Sequence, residues 1–303
     1  MNLSVAAKAA LLALLALPTA ALASPLDAGR IPAEADGVGH LDLDALRKTS
    51  LHRLIGPKFK KEIEWQGVDP AIRPLARALF DTAQGVSFWL TNHDTGAVLI
   101  QVPDARRIQV LLDKIPHGAP IRLAGQSAYK YRFSPQSHKS DDTMIALVGN
   151  TFILSEDKAS LTRAIDAAAR RGKTLASARV VLDGALERGV FFFAALNDKL
   201  LDKVKNAAQS KTLRVNMSSL TVHVGEIRAE MRVRVKLQMS GAEEAQKIKS
   251  MIEGVVALVS MSDETAEVRP FVKGLKVAVN GRAVEMTVTM PTADLVKLIE
   301  SKN

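Results

Sequence analysis

The stretch Met144-Ile-Ala-Leu-Val-Gly-Asn-Thr-Phe-Ile-Leu-Ser is answered near the C-terminus by Leu275-Lys-Val-Ala-Val-Asn-Gly-Arg-Ala-Val-Glu-Met, and each runs on into a helical pattern, 158–165 and 292–299. Both read as strand, tight Gly/Asn turn, strand, helix. A unit stated twice restricts the fold, because side chains present in one copy alone are not needed by the shared architecture and become the first candidates for function. The echo extends upstream. Residues 38–43 (Val-Gly-His-Leu-Asp-Leu) read as a strand with Asp44 placed to cap a helix opening at Ala45; residues 189–195 (Gly-Val-Phe-Phe-Phe-Ala-Ala) repeat the strand, with Asn197 as the matching cap.

A hairpin follows in each copy, 86–90 with 97–102 around His93-Asp94-Thr95-Gly96, and 220–224 with 230–239. Helical stripes come next: Ile108, Leu111, Leu112 and Ile115 within 104–115, and Ile248, Met251, Ile252, Val255 and Val256 within 242–259. The first copy carries extra material, a helix over 69–83 with Pro70 at its first position and the segment 118–142, and a join spans 170–187. The expectation is an α+β protein of two tandem β-α-β-β-α-β-β-α units, 38–177 and 178–303, in two antiparallel sheets or one composite sheet with helices packed on one face. The element order resembles a ferredoxin-like core with an added hairpin and helix.

The N-terminus has a different character. Lys8, the apolar run 9–17, Pro18 and the small-x-small site Ala21-Leu22-Ala23 describe a secretory signal peptide over 1–23, cleaved after Ala23, with an exposed lead-in over 24–37. The apolar stretch falls short of the roughly 20 residues of a membrane span, so a periplasmic or secreted mature chain is expected, with no transmembrane segment. The chain has no cysteine, which excludes thiol catalysis, thiolate metal sites, disulfides and lipid attachment at an N-terminal cysteine. With 47% apolar residues it can bury a sizeable core without staples. The net charge of +9 is spread over both halves without a block, and aromatic residues make up only 4%, which argues against nucleic acid as a partner.

The leader, the strand running into Leu41-Asp42-Leu43-Asp44-Ala45-Leu46, and the repeated Gly/Asn-turn hairpin together resemble exported bacterial proteins of uncharacterised function. The resemblance implies a duplicated, exported α+β protein and carries no catalytic residue across.

Three constellations invite chemistry. Alternation along a strand places His40, Asp42 and Asp44 on one side, a set of imidazole and carboxylates fit to hold a metal, and the second copy has Phe and Ala at the counterparts of the first two. On the long strand of the second copy, Arg232, Arg234 and Lys236 alternate with valine and leucine, which puts three cations on one sheet face. Tyr129, Tyr131 and Phe133 alternate with Lys130 and Arg132 on an expected edge strand pairing with 143–148, and Tyr129, Tyr131 and Arg132 are candidate ligand contacts where the first copy departs from the second. Gly172-Lys173-Thr174 imitates the end of a phosphate loop but follows a helix and lacks the earlier glycine, Ala167 standing there. No Gly-x-Ser-x-Gly elbow or His-Glu-x-x-His helix occurs.

The sequence therefore points to a non-catalytic binding protein of the cell envelope with an anionic envelope component or lipid as partner, and to no cofactor. Two other readings stand beside it: a carrier of an apolar ligand in a cavity between the repeats, and a metal-dependent hydrolase built on His40, Asp42 and Asp44.

Overall fold

The computed structural model describes residues 26–62, 69–91, 95–115, 119–132, 142–176, 189–201, 217–261 and 269–300. The leader with its cleavage point, Phe133 with the loop after it, and most of the join lie outside the described residues. In chain order the elements are β1 (Gly37–Asp42), α1 (Leu43–Arg47), α2 (Ser50–Glu62), α3 (Arg73–Thr82), β2 (Gly85–Leu90), β3 (Gly96–Gln101), α4 (Ala105–Leu112), β4 (Ile121–Leu123), β5 (Gln126–Arg132), β6 (Asp142–Val148), β7 (Thr151–Ser155) and α5 (Lys158–Ala168). The second half follows with β8 (Val190–Asn197), β9 (Met217–Ile227), β10 (Glu230–Met239), α6 (Ala242–Met261), α7 (Arg269–Lys273), β11 (Leu275–Asn280), β12 (Ala283–Pro291) and α8 (Thr292–Glu300).

The strands form one twelve-stranded sheet in the order β11-β12-β10-β9-β8-β1-β2-β3-β7-β6-β5-β4, every neighbouring pair antiparallel. The strands thus belong to a single sheet, with β1 against β8 near its middle. From that seam the strands run outward as β1, β2, β3, β7, β6 on one side and as β8, β9, β10, β12, β11 on the other.

The two faces are best named by β1, whose residues alternate between a His40 face and a Leu41 face. Helices cover both faces of the first half, and this corrects the expectation of helices on one face. On the His40 face, Leu161, Ala164 and Ile165 of α5 pack with Val38, Trp89, Leu99 and Ile153. On the Leu41 face, Leu75 and Ala78 of α3 and Ile108 and Leu112 of α4 pack with Ile145 and Phe152. Runs such as Ala97-Val98-Leu99-Ile100, apolar at every position, are what burial from both sides requires.

Among the described residues the second half keeps the one-faced pattern. Ala245, Ile248 and Ile252 of α6 pack on Leu237, Val277, Val279 and Val284, while Phe271 of α7 and Leu295 of α8 join Met231, Met290, Leu41 and Val86. All of these sheet residues share the Leu41 face by register. The helix after the last hairpin therefore lies on opposite faces in the two halves, α5 on one and α8 on the other.

Local chemistry explains the helix starts and corrects two of them. Asp42, not Asp44, caps α1: its Oδ1 accepts from the Ala45 amide at 2.8 Å. The helix expected over 69–83 begins at Arg73 with Pro74 in its first turn, rather than at Pro70. Asp104 caps α4, accepting from the Arg107 amide, and the Asn197 side chain accepts from the Leu200 amide at 3.3 Å, as the second copy's cap position predicts.

The halves are clasped at both ends of the seam. Asp36 donates its amide to the Leu90 carbonyl of β2, accepts the Asn197 amide through its own carbonyl at 2.9 Å, and accepts the Asn197 side-chain amide on Oδ1 at 2.7 Å. At the other end, Glu226 of β9 reaches into the first half, where its carboxylate accepts from the Ser50 and Leu51 amides at 2.6 and 2.9 Å and caps α2. Between them the Phe88 ring lies across the Cα of Gly39, where a Cβ would displace it. Replacing Glu226 by Ala leaves two first-turn amides without their acceptor, and a loss of about 1–2 kcal/mol is expected in urea denaturation, with the transition still single.

Candidate functional site

β9 and β10 are joined by a two-residue turn at Arg228 and Ala229, both in the left-handed region at φ 53° and 62°. That turn fixes the register, setting Arg232 opposite Gly225, Arg234 opposite His223 and Lys236 opposite Thr221. The three cations consequently share the His40 face, and Met231, Val233, Val235 and Leu237 the helix-covered one. This is the alternation expected of a half-buried antiparallel strand.

Register extends the pattern across the whole sheet. His40 is flanked by Ser87 and Phe193, Phe193 by His223, His223 by Arg234, Arg234 by Thr287 and Thr287 by Lys276. On the other side of Ser87 the same row continues through Leu99, Ile153, Ala146 and Ala128. The face is thus apolar and roofed by α5 over the first half, and polar and cationic over the second.

The residues at the changeover are tightly organised. His40 and Ser87 are both buried, with Nδ1 and Oγ 2.9 Å apart. The Phe193 ring stacks on His223, centroids 5.2 Å apart at 21°. Arg234 donates to His223 Nδ1 from both Nε at 3.1 Å and Nη2 at 2.8 Å. Because a guanidinium has only donors, His223 Nδ1 is the acceptor and the ring proton sits on Nε2. The half-buried Arg234 is held flat against the sheet in this way, with exposed Arg232 and half-buried Lys236 on either side of it on the same strand. Glu285 lies beside Lys236 and partly offsets its charge. Such an array of cations, with Thr221, Thr287 and Thr289 opposite them on the neighbouring strands, has the chemistry to pair with anionic oxygens. Ser87 and His40 have the types of a nucleophile and base, and both side chains are buried.

The metal candidate is dispersed. His40 bonds Ser87, Asp42 caps α1, and Asp44 pairs with Arg47, Oδ1 to Nη1 at 2.8 Å with both side chains buried. Among the described residues no group of three or more His, Asp or Glu is arranged to hold a metal ion. Burial pushes the Asp44 carboxyl above the ordinary carboxylate range, and the Arg47 guanidinium draws it part of the way back. Since the folded value exceeds the unfolded one, the native state holds this proton more tightly. The destabilisation from the buried charge therefore develops as pH rises through the window between the two values, and is absent below it.

The tyrosine candidates separate as well. Tyr129 and Tyr131 fall on the Leu41 face, where Tyr131 is buried against α4 and donates to the Leu112 carbonyl at 3.4 Å. Burial pushes its hydroxyl up to about 12, with smaller contributions from Tyr129 and Asp113. β5 pairs with β6 as expected, but β4 covers only Gln126–Ala128 on its outer side, leaving Arg132 at an edge position. Tyr131 is a core residue rather than a ligand platform. The residues that sequence reasoning missed are Phe193 and His223, the pair against which Arg234 is oriented.

No family model and no curated protein matches the chain. Among solved structures it is similar to TP0453 in two crystal forms: form I at a TM-score of 0.48 and 11% identity, covering 92% of this chain and 98% of that one; and form IV at 0.49 and 10%, covering 92% and 97%. A structural role for the Asp44–Arg47 pair is tested directly by a double-mutant cycle in urea. Arg47→Met alone strands a buried carboxylate and is expected to cost about 3–5 kcal/mol, whereas adding Asp44→Leu should recover most of the loss.

Proposed function

We propose that the protein is an exported, non-catalytic binding protein of the cell envelope, built from a duplicated unit (38–177 and 178–303), which offers the open His40 face of its second half to an anionic partner. One observation carries this reading: Arg232, Arg234 and Lys236 stand in register on a sheet face whose reverse is apolar and packed under helices, and Arg234 is fixed in place by His223. The even positive charge of the whole chain adds long-range attraction to anionic envelope polymers or headgroups, weakening as salt rises. The leader pattern at 1–23 supports passage to the periplasm or beyond, with cleavage after Ala23.

Immobilised heparin, a generic polyanion, provides the test. Arg232→Glu with Lys236→Glu leaves the His223–Arg234 contact intact and is expected to weaken binding on the order of tenfold at fixed salt. The matched pair Lys114→Glu with Lys158→Glu, on other surfaces, should leave most of the binding in place. Equal losses in both variants would mean that net charge alone is responsible, and the reading would fail.

A carrier reading with the ligand held on the second half, rather than in a cavity between the repeats, is supported by one feature of the opposite face. Val222, Val233, Val235, Met286 and Val288 are only half-buried between the α6 contacts and the α8 contacts. Organic extraction of protein purified from a periplasm, followed by mass spectrometry, should recover a stoichiometric lipid if this trough carries one; lipid-free protein excludes it.

A further inference from the structure

The elbow between α1 and α2 gathers buried polar atoms within residues 44–52. Asp42 caps α1 from the end of β1, and the helix then sets Asp44 and Arg47 on one side, Oδ1 to Nη1 at 2.8 Å, with side-chain exposures of 0% and 4%. Thr49 turns the chain: its hydroxyl donates to the Leu46 carbonyl and accepts the His52 amide at 3.0 Å. His52 is thereby brought back to the end of α1, where its ring donates to the Arg47 carbonyl. The main chain is also pinned to the sheet, since the Leu43 and Asp44 amides both donate to the Gln84 carbonyl.

Within this frame Nε and Nη2 of Arg47, Oδ2 of Asp44 and Nε2 of His52 are buried and meet no hydrogen-bonding group of the protein. Left so, each would cost free energy comparable to a lost hydrogen bond. Their chemistry defines what answers them. Nε and Nη2 form one edge of the guanidinium, a fork of two N–H donors, and Oδ2 is an acceptor. Burial holds the His52 ring below the ordinary histidine range, so near neutral pH it is uncharged; with Nδ1 donating to the Arg47 carbonyl, Nε2 accepts. Asp44 and Arg47 already cancel each other's charge, so an anion on the guanidinium edge would bring an uncompensated charge into a place closed to solvent, beside the Asp44 carboxylate. A neutral group that both accepts and donates fits all four atoms. We propose that the Asp44–Arg47–His52 elbow is an internal hydration site, holding ordered water that accepts from the Arg47 edge, donates to Asp44 and His52, and so ties α1 to the first turn of α2. Water held by two to four polar partners is an ordinary part of a protein interior, and four atoms are offered here. This site is independent of the cationic sheet face.

A crystal structure of residues 24–303 at a resolution that shows ordered solvent tests the proposal. Water is expected at about 2.7–3.2 Å from the Arg47 edge and from at least one of Asp44 Oδ2 and His52 Nε2. Nuclear magnetic resonance gives a second reading in solution: cross-relaxation between water and the carbon-bound Hε1 proton of His52, with the sign of a long-lived bound molecule. The double variant Asp44→Leu with Arg47→Met makes the elbow apolar and should abolish that signal, and the wild-type signal decides the matter even if the variant does not fold. A dry elbow, in which Arg47 or His52 turns to bond another side chain, overturns the proposal. So do electron density for an anion or a larger molecule on the guanidinium edge, the lack of a wild-type cross-peak, and a cross-peak that survives in the folded double variant.

Discussion

The antiparallel pairing of β1 with β8 is the interaction on which everything else depends. It joins two sets of strands that would each end in an exposed edge, and it sets His40 beside Phe193 and Leu41 beside Phe192. Once that ladder is in place, every later strand inherits its facing. Cross-strand neighbours keep the same side, so the parity of β1 decides that Arg234 looks one way and Met231 the other. The clasps by Asp36 and Glu226 add hydrogen bonds between the halves at its two ends, and Gly39 lets the Phe88 ring lie flat across the strand.

Given a common strand order on both sides of the seam, the difference between the halves lies in what covers them. The first half is roofed on both faces, by α5 and by α3 with α4, and its strands are apolar on both sides. The second half has helices on the Leu41 face, and its other face alternates into threonine, arginine and lysine. A sheet enclosed on both faces has little left to offer a partner; one whose polar face is uncovered by helices among the described residues keeps a surface on which charges are spaced by register rather than by loops. The proposed binding residues are thus concentrated in the second half, and the first half supplies the mass against which that surface is held.

Much of this layout was legible in the sequence. The hairpins, the stripe of α4, the alternation at Arg232, Arg234 and Lys236, and the cap at Asn197 all followed from periodicity and turn chemistry; on α6 only part of the expected stripe is buried, Ile248 and Ile252 facing the sheet while Met251 and Val255 face outward. What escaped has physical reasons. The cap of α1 was assigned to Asp44 because two aspartates stand two residues apart, and only the observed end of β1 makes Asp42 the acceptor. Helices on the second face of the first half left their trace in uninterrupted apolar runs such as 97–100, which periodicity alone does not distinguish from a single buried face. His223 was hidden by the turn at Arg228 and Ala229, where neither residue announces a left-handed conformation; had that turn been recognised, counting outward would have set His223 opposite Arg234. The metal constellation does not assemble among the described residues because β1 ends at Asp42 and Asp44 turns away into α1, and each of the three already serves a neighbour.

Hydrogen exchange at the seam tests the central structural claim most directly. If the sheet is one unit hinged on nothing, the β1 and β8 amides that bond across the seam exchange only through global unfolding, with a free energy equal to that from denaturant titration of the whole chain. Exchange of those amides at a distinctly lower free energy than the β2, β3, β9 and β10 amides would mean that the halves part before they melt, and would contradict a single continuous sheet.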